Sequence, residues 1–259
     1  MKLKDITNII EKWSPLQQAE TFDNVGLLVG NPNSNVEKAL ITIDTTETVI
    51  EEAIKNKCDL IITFHPIIFS ELKQVTENTY VERVVKKAIK NNINIYAVHT
   101  NLDNNPKGVN YKISEILSLK NTSILLKKDN KDIGMGMIGD LSKELNELEF
   151  FEFLKHKMDV KYIKHSPFLG KKIKKIAVLG GSGSFAINEA INQKADCYVT
   201  SDLKYHDYFK AEKKILLADI GHYESEHFTK QLILDFFIKK IPKFACIISK
   251  TNTNPVNYF

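Results

Sequence analysis

Four of the seven histidines in this chain stand where apolar, strand-like runs give way to polar residues. His65 follows "DLIIT"; His99, with Asp103, lies in "AVHTNLD"; His206, with Asp202, lies in "SDLKYHD"; His222, with Glu226, lies in "GHYESE". Imidazole and carboxylate together suit a divalent cation such as zinc, iron or manganese. His222 and Glu226 are four apart at a predicted helix start and so share one face. Each residue also has a plainer reading. A histidine after a strand serves as a hydrogen-bonded structural residue, and a His-x-x-x-Glu spacing arises by chance. Their gathering on one predicted edge is what favours a metal.

Two further stretches bear on a ligand. "VLGGSGS" runs from a strand into a glycine-rich turn, where backbone amides attract anions. It lacks the Lys-Ser/Thr of a P-loop, so Gly181, Ser182 and Gly183 stand either as a phosphate cradle or as a tight turn. Asp23 and Asn24 in "FDNVG" contact a ligand or cap a turn. No Gly-x-Ser-x-Gly elbow and no strand-end cysteine supplies a nucleophile.

The elements that place these residues follow from periodicity. Leu3, Ile6, Ile9, Ile10 and Trp13 recur at helical spacing and stop before Pro15. "KALITID", "DLIITF" and "INIYAVH" read as strands. Between them lie a helix with Val49, Ile50, Ala53 and Ile54 on one face, capped by Thr45 or Thr46, and a second with Val81, Val84, Val85, Ala88 and Ile89. This alternation predicts a parallel sheet covered by helices. "KKIAVLGGSGS", "DCYVTSD", "KILLADIG" and "KFACIIS" repeat the plan, with helices around Phe185 to Ile191 and from His222 to about Lys239. The expectation is an α/β protein of two similar lobes with mostly parallel sheets, 1–125 and 126–259. They join in the polar, glycine-bearing stretch 120–145. Ligands bind past the carboxyl ends of such strands.

With 259 residues, 43% of them hydrophobic, the chain can build a large core. A net charge of +4 is spread along it, and the cluster at Lys171–Lys175 reads as a solvated strand entrance. Cys58, Cys197 and Cys246 form no CxxC pair and suit reduced, buried thiols of a cytoplasmic protein. No apolar run has bilayer-spanning length.

In order, "FDNVGLLVG", "FHPIIF", "AVHTNLD", "TSDLKYHD" and "GHYESE" resemble the signatures of the GTP cyclohydrolase I type 2 homolog, or Nif-three-like, family, in its short form without an inserted domain. The resemblance spans nearly the whole chain. It implies a dinuclear metal site in a cleft between two α/β lobes and a ring-shaped homohexamer. His65, Asp103, His222 and Glu226 match the family's ligand positions. Phe64 stands where the family carries the first histidine of a His-His-Pro motif. One position therefore keeps His65, His222 and Glu226. The other is left with Asp103 and Glu226, or with His99 recruited, so one or two metals per subunit are expected. The implied activity is a hydrolase acting on a nucleotide or other phosphate compound through metal-bound hydroxide, with His99 and His206 moving protons. Asn24, Gly181, Ser182, Gly183, Asp202 and Lys204 are the candidates for contacting substrate. The alternative is a non-catalytic metal-binding regulator or oligomeric scaffold in contact with nucleic acid.

Overall fold

The computed structural model describes residues 1–128 and 132–259. Helix α1 (Leu3–Trp13) buries Leu3, Ile6 and Ile10 and ends before Pro15, as its spacing requires. Then come β1 (Gly26–Val29), β2 (Lys38–Thr42), α2 (Glu47–Lys55), β3 (Leu60–Thr63), α3 (Tyr80–Lys90) and β4 (Asn94–Ala97). The short α4 (Thr100–Asp103) leads to α5 (Val109–Ile116), β5 (Lys120–Lys127), β6 (Gly134–Asn146) and α6 (Glu147–Met158). These are followed by β7 (Lys164–His165), β8 (Lys172–Ser182), α7 (Ile187–Asn192), β9 (Cys197–Ser201), β10 (Leu216–Asp219) and α8 (His222–Glu226). Helix α9 (Thr229–Lys240) and strand β11 (Ala245–Ile248) complete the series.

The chain forms two compact units, Met1–Leu102 with Phe228–Phe259, and Asp103–His227. This differs from the expected division at 125/126, and the reason is the last strand. β11 pairs in parallel with β2, Ala245 opposite Lys38, so α9 and β11 belong to the first unit and not the second. The first unit's sheet has the order β1-β4-β3-β2-β11 and is parallel except for β1. Leu40, Ile61 and Ile95 from its central strands meet Val49, Ile50 and Ala53 of α2 and Val84, Val85 and Ala88 of α3. Of the two candidate caps, Thr46 accepts the Val49 N–H at 3.3 Å. Trp13 of α1 stacks on Phe236 of α9 with ring centroids 4.2 Å apart.

The segment after β11 is fastened to α2. The Glu52 carboxylate accepts from Ser249 Oγ (2.6 Å), the Lys250 amide (2.8 Å), and the Thr251 amide (3.2 Å) and hydroxyl (2.7 Å). Burial works against this carboxylate. The donors outweigh burial and hold its pKa below the ordinary value. A depressed folded pKa gives stability that is present above the unfolded value and lost as pH falls through the folded one. Glu52→Ala is expected to lower unfolding free energy by about 1–3 kcal/mol near neutral pH. The difference from wild type should shrink in acid, measured by urea unfolding at both pH values.

The second unit's sheet has the order β5-β6-β8-β9-β10-β7. Only β8, β9 and β10 run parallel, so "mostly parallel" describes the first unit better than this one. The stretch read as an irregular joint is instead the antiparallel pair β5–β6, apart from 129–131, which lie outside the described residues. Its glycines serve close strand approach. A Cβ at Gly139 would lie 2.8 Å from the Lys120 carbonyl oxygen. The helix expected from His222 to Lys239 is divided into α8 and α9. The lysines Lys171 and Lys172 are exposed at the start of β8, as a solvated strand entrance requires. The three cysteines are free thiols, and burial pushes each thiol's pKa up, Cys246 to about 12. No described helix is long and apolar enough to cross a membrane.

Candidate functional site

In the first unit, the adjacent parallel strands β2, β3 and β4 bring three polar side chains to one carboxyl edge. Asp44 follows β2, His65 follows β3 and His99 follows β4. His65 is set by its backbone: its N–H donates to the Ile43 carbonyl at 2.9 Å, and the Thr63 hydroxyl donates to the His65 carbonyl at 3.0 Å. Its Nδ1 lies 2.7 Å from Asp44 Oδ1. His99 repeats the arrangement, with Nδ1 2.9 Å from Asp23 Oδ1. Burial acts to raise the Asp23 pKa, but His99 and the Thr100 amide and hydroxyl bring it down to about 2. In both pairs a carboxylate occupies Nδ1, which orients the ring and directs Nε2 to other duty. The two imidazoles meet edge to face, centroids 5.3 Å apart, and Phe64 packs beside both at 5.0 and 5.4 Å.

The second unit builds the same device on β8, β9 and β10. Ser182 ends β8, Asp202 follows β9 and His222 follows β10. Asp202 has φ +57°, a left-handed conformation that aspartate tolerates better than most residues. Its Oδ2 takes the Ser182 hydroxyl and His222 Nδ1, the latter at 2.7 Å. The hydrogen bond from His222, with that from Ser182, lowers the Asp202 pKa to about 2 against the effect of burial. One turn along α8, Glu226 Oε2 lies 3.1 Å from His222 Nε2. Gly181 clears the space beside them, since a Cβ there would lie 2.4 Å from Glu226 Oε1 and 3.4 Å from His222 Nε2. Burial acts to lower the His222 pKa, but Asp202 and Glu226 lift it to about 11. The place therefore favours positive charge strongly. With one imidazole nitrogen, one carboxylate oxygen and a buttressing carboxylate, it fits a divalent cation.

The other expected residues are distributed as follows. Asp103 is buried at the end of α4, its carbonyl accepting from Asn110, whose Oδ1 in turn takes the Gly180 amide at 3.0 Å. Asn24 donates its Nδ2 to the Ile68 carbonyl at 2.6 Å and so ties two loops of the first unit. Gly183 faces Thr200 and accepts from Tyr198 Oη, a packing position. The Lys204 amide donates to Asp207, and His206 is exposed between Tyr205 and Phe209. Asp202 was expected to contact substrate, and the structure sets it against His222. Asp44 was missed in the sequence, although it stands directly after an apolar strand, the same signal that marked His65. Asp202→Ala is expected to weaken metal binding about 10–100-fold while the fold persists, measured by zinc titration and circular dichroism.

Two α/β units, each offering a carboxylate-buttressed imidazole at the ends of three parallel strands, define a class of α/β protein with candidate metal ligands. The chain belongs to the Duf34/NIF3 (NGG1p interacting factor 3) family, whose model matches residues 1–255. A Clostridium perfringens relative named GTP cyclohydrolase 1 type 2 homolog is 40% identical over 231 residues, covering 87% of each chain. A Campylobacter jejuni relative of the same name is 32% identical over 260 residues and covers all of both chains. A crystal structure of a Staphylococcus aureus protein superposes with a TM-score of 0.93 at 28% identity, covering 100% of this chain and 99% of that one.

Proposed function

We propose that this protein is a metal-dependent hydrolase of a nucleotide or related phosphate compound. In this reading His65, His222 and Glu226 serve as ligands for zinc, iron or manganese. The observation that carries it is the repeated Asp–His pair, Asp44–His65 and Asp202–His222, which orients each ring through Nδ1 and sets His222 Nε2 3.1 Å from Glu226 Oε2. When bound, the cation supplies Lewis acidity and makes hydroxide available near neutral pH. His99, its tautomer set by Asp23, holds and moves a proton at Nε2. Lys204 supplies a cationic contact for phosphate oxygens, whereas the Gly181 amide is taken by Ser225 Oγ at 2.9 Å. Asp103, with Glu226, offers a second and weaker position. Elemental analysis of purified protein and a nucleotide-hydrolysis screen, repeated on His222→Ala, test this. Bound metal and a hydrolysed substrate, both lost in the variant, support it. Activity that survives the substitution overturns it.

One observation favours a second reading, a self-assembling metal-binding scaffold. Tyr205 and Phe209 are 75% and 65% exposed, with centroids 5.5 Å apart. Exposed aromatic pairs of this kind are typical of association surfaces. A homohexamer that loses assembly in Tyr205→Ser/Phe209→Ser, with no hydrolysis of any nucleotide tested, would favour the scaffold.

A further inference from the structure

The segment beyond β11 does more than close the first unit. Ser249 donates its amide to the Ile41 carbonyl at 2.8 Å, which carries the chain along the end of β2. Glu52 then gathers Ser249, Lys250 and Thr251 through four hydrogen bonds. Two residues later Thr253 Oγ1 donates to Asp44 Oδ2 at 2.6 Å. The other oxygen of that carboxylate, Oδ1, is the one at 2.7 Å from His65 Nδ1. One carboxylate oxygen thus meets a hydroxyl and the other an imidazole.

This division has a geometric consequence. A carboxylate turns about its χ2 torsion over a broad range unless both oxygens are held. With Thr253 on Oδ2, rotation of Asp44 breaks one bond or the other, so the plane of the carboxylate is set. The plane of the carboxylate sets the His65 ring, because Nδ1 must lie in line with Oδ1. The backbone of His65 is already fixed from β2 through Ile43. The imidazole's χ1 and χ2 torsions remain, and Asp44, itself held by Thr253, restrains them.

We infer that Thr253 is a positioning residue for metal binding at His65, acting through Asp44. The C-terminal segment, clamped by Glu52, is therefore part of the apparatus that presents the ligand. This rests on the reading of His65 as a metal ligand and adds to it a residue far away in sequence that touches no metal itself. Outer partners of this kind change metal affinity about 10–100-fold.

The test is zinc titration of the full-length chain, wild type against Thr253→Val, Thr253→Ser and His65→Ala, with thermal unfolding of each metal-free protein. Valine keeps the shape and removes the donor, and serine keeps the donor. The expected result is a Kd for zinc raised about tenfold or more in Thr253→Val. Thr253→Ser should stay within about twofold of wild type, with metal-free unfolding temperatures that agree. Wild-type affinity in Thr253→Val, alongside weakened binding in His65→Ala, overturns the role of Thr253 and leaves the metal reading intact. So does a Thr253→Ser variant as weak as Thr253→Val, since the hydroxyl is then not what matters. Unchanged binding in His65→Ala removes the metal reading itself, and the positioning role falls with it.

Discussion

Gly181→Ala will purify as a folded protein that has lost most of its metal. The backbone there has φ +70°, which costs an L-residue about 1–2 kcal/mol. The larger effect is steric and local. The new methyl would sit 2.4 Å from Glu226 Oε1. The backbone has little room to retreat, because the Gly181 amide bonds Ser225 Oγ at 2.9 Å and its carbonyl takes the Thr200 hydroxyl at 3.2 Å. Glu226 is only 3% exposed, so its carboxylate must swing out of line with His222 Nε2. Loss of one first ligand from a small donor set is expected to reduce affinity at least as much as an outer-partner change, roughly 100-fold. Metal content by elemental analysis and secondary structure by circular dichroism read the two effects separately. Gly139→Ala is the control. Its methyl would meet the Lys120 carbonyl oxygen at 2.8 Å, in the β5–β6 pair, so it should lower stability and keep the metal. Full metal content in Gly181→Ala would show that Glu226 is not a ligand.

Phe64 carries the second large effect. Its side chain is fully buried, 0% exposed, between the core of the first unit and the rings of His65 and His99. Phe64→Ala removes a core aromatic and is expected to cost about 3–5 kcal/mol of unfolding free energy, read from denaturant midpoints at unchanged slope. In the proposed metal reading the same position also sets the expected metal count. Phenylalanine donates no electron pair, and the Asp103 and Glu226 carboxylates alone make a weak place for a transition metal. Wild-type protein is therefore expected to hold one tightly bound ion per chain. Phe64→His should raise that to two, counted by elemental analysis after exhaustive dialysis. Two tight ions in the wild type would overturn this expectation.

Much of the site was legible because strand ends are legible. The runs before His65, His99 and His222 are continuous in apolar residues, and the parallel strands do carry those histidines to a carboxyl edge. Asp44 was passed over because a single aspartate after a strand is ordinary; what distinguishes it is a neighbour one strand away, and pairing between strands is not written locally. Thr253 was invisible for the same reason at greater distance. The β5–β6 pair was read as a joint because Gly134, Gly136 and Gly139 resemble punctuation. They are there because neighbouring backbone approaches too closely for a Cβ. The final strand was assigned to the wrong unit because β11 looks like any short apolar run, and its pairing with β2 depends on packing that no local pattern encodes.

That pairing also sets an order of events during synthesis. The second unit is one continuous stretch, Asp103–His227, whereas the first lacks α9 and β11 until the residues after the second unit are made. Domains complete when their last strand is available. The unit that begins second can therefore finish first, while β2 keeps an open edge until β11 leaves the ribosome. Because Thr253 reaches Asp44 from beyond β11, the His65 imidazole acquires this contact only once the segment after β11 has been made. A polypeptide cut before Thr253 presents His65 without that constraint.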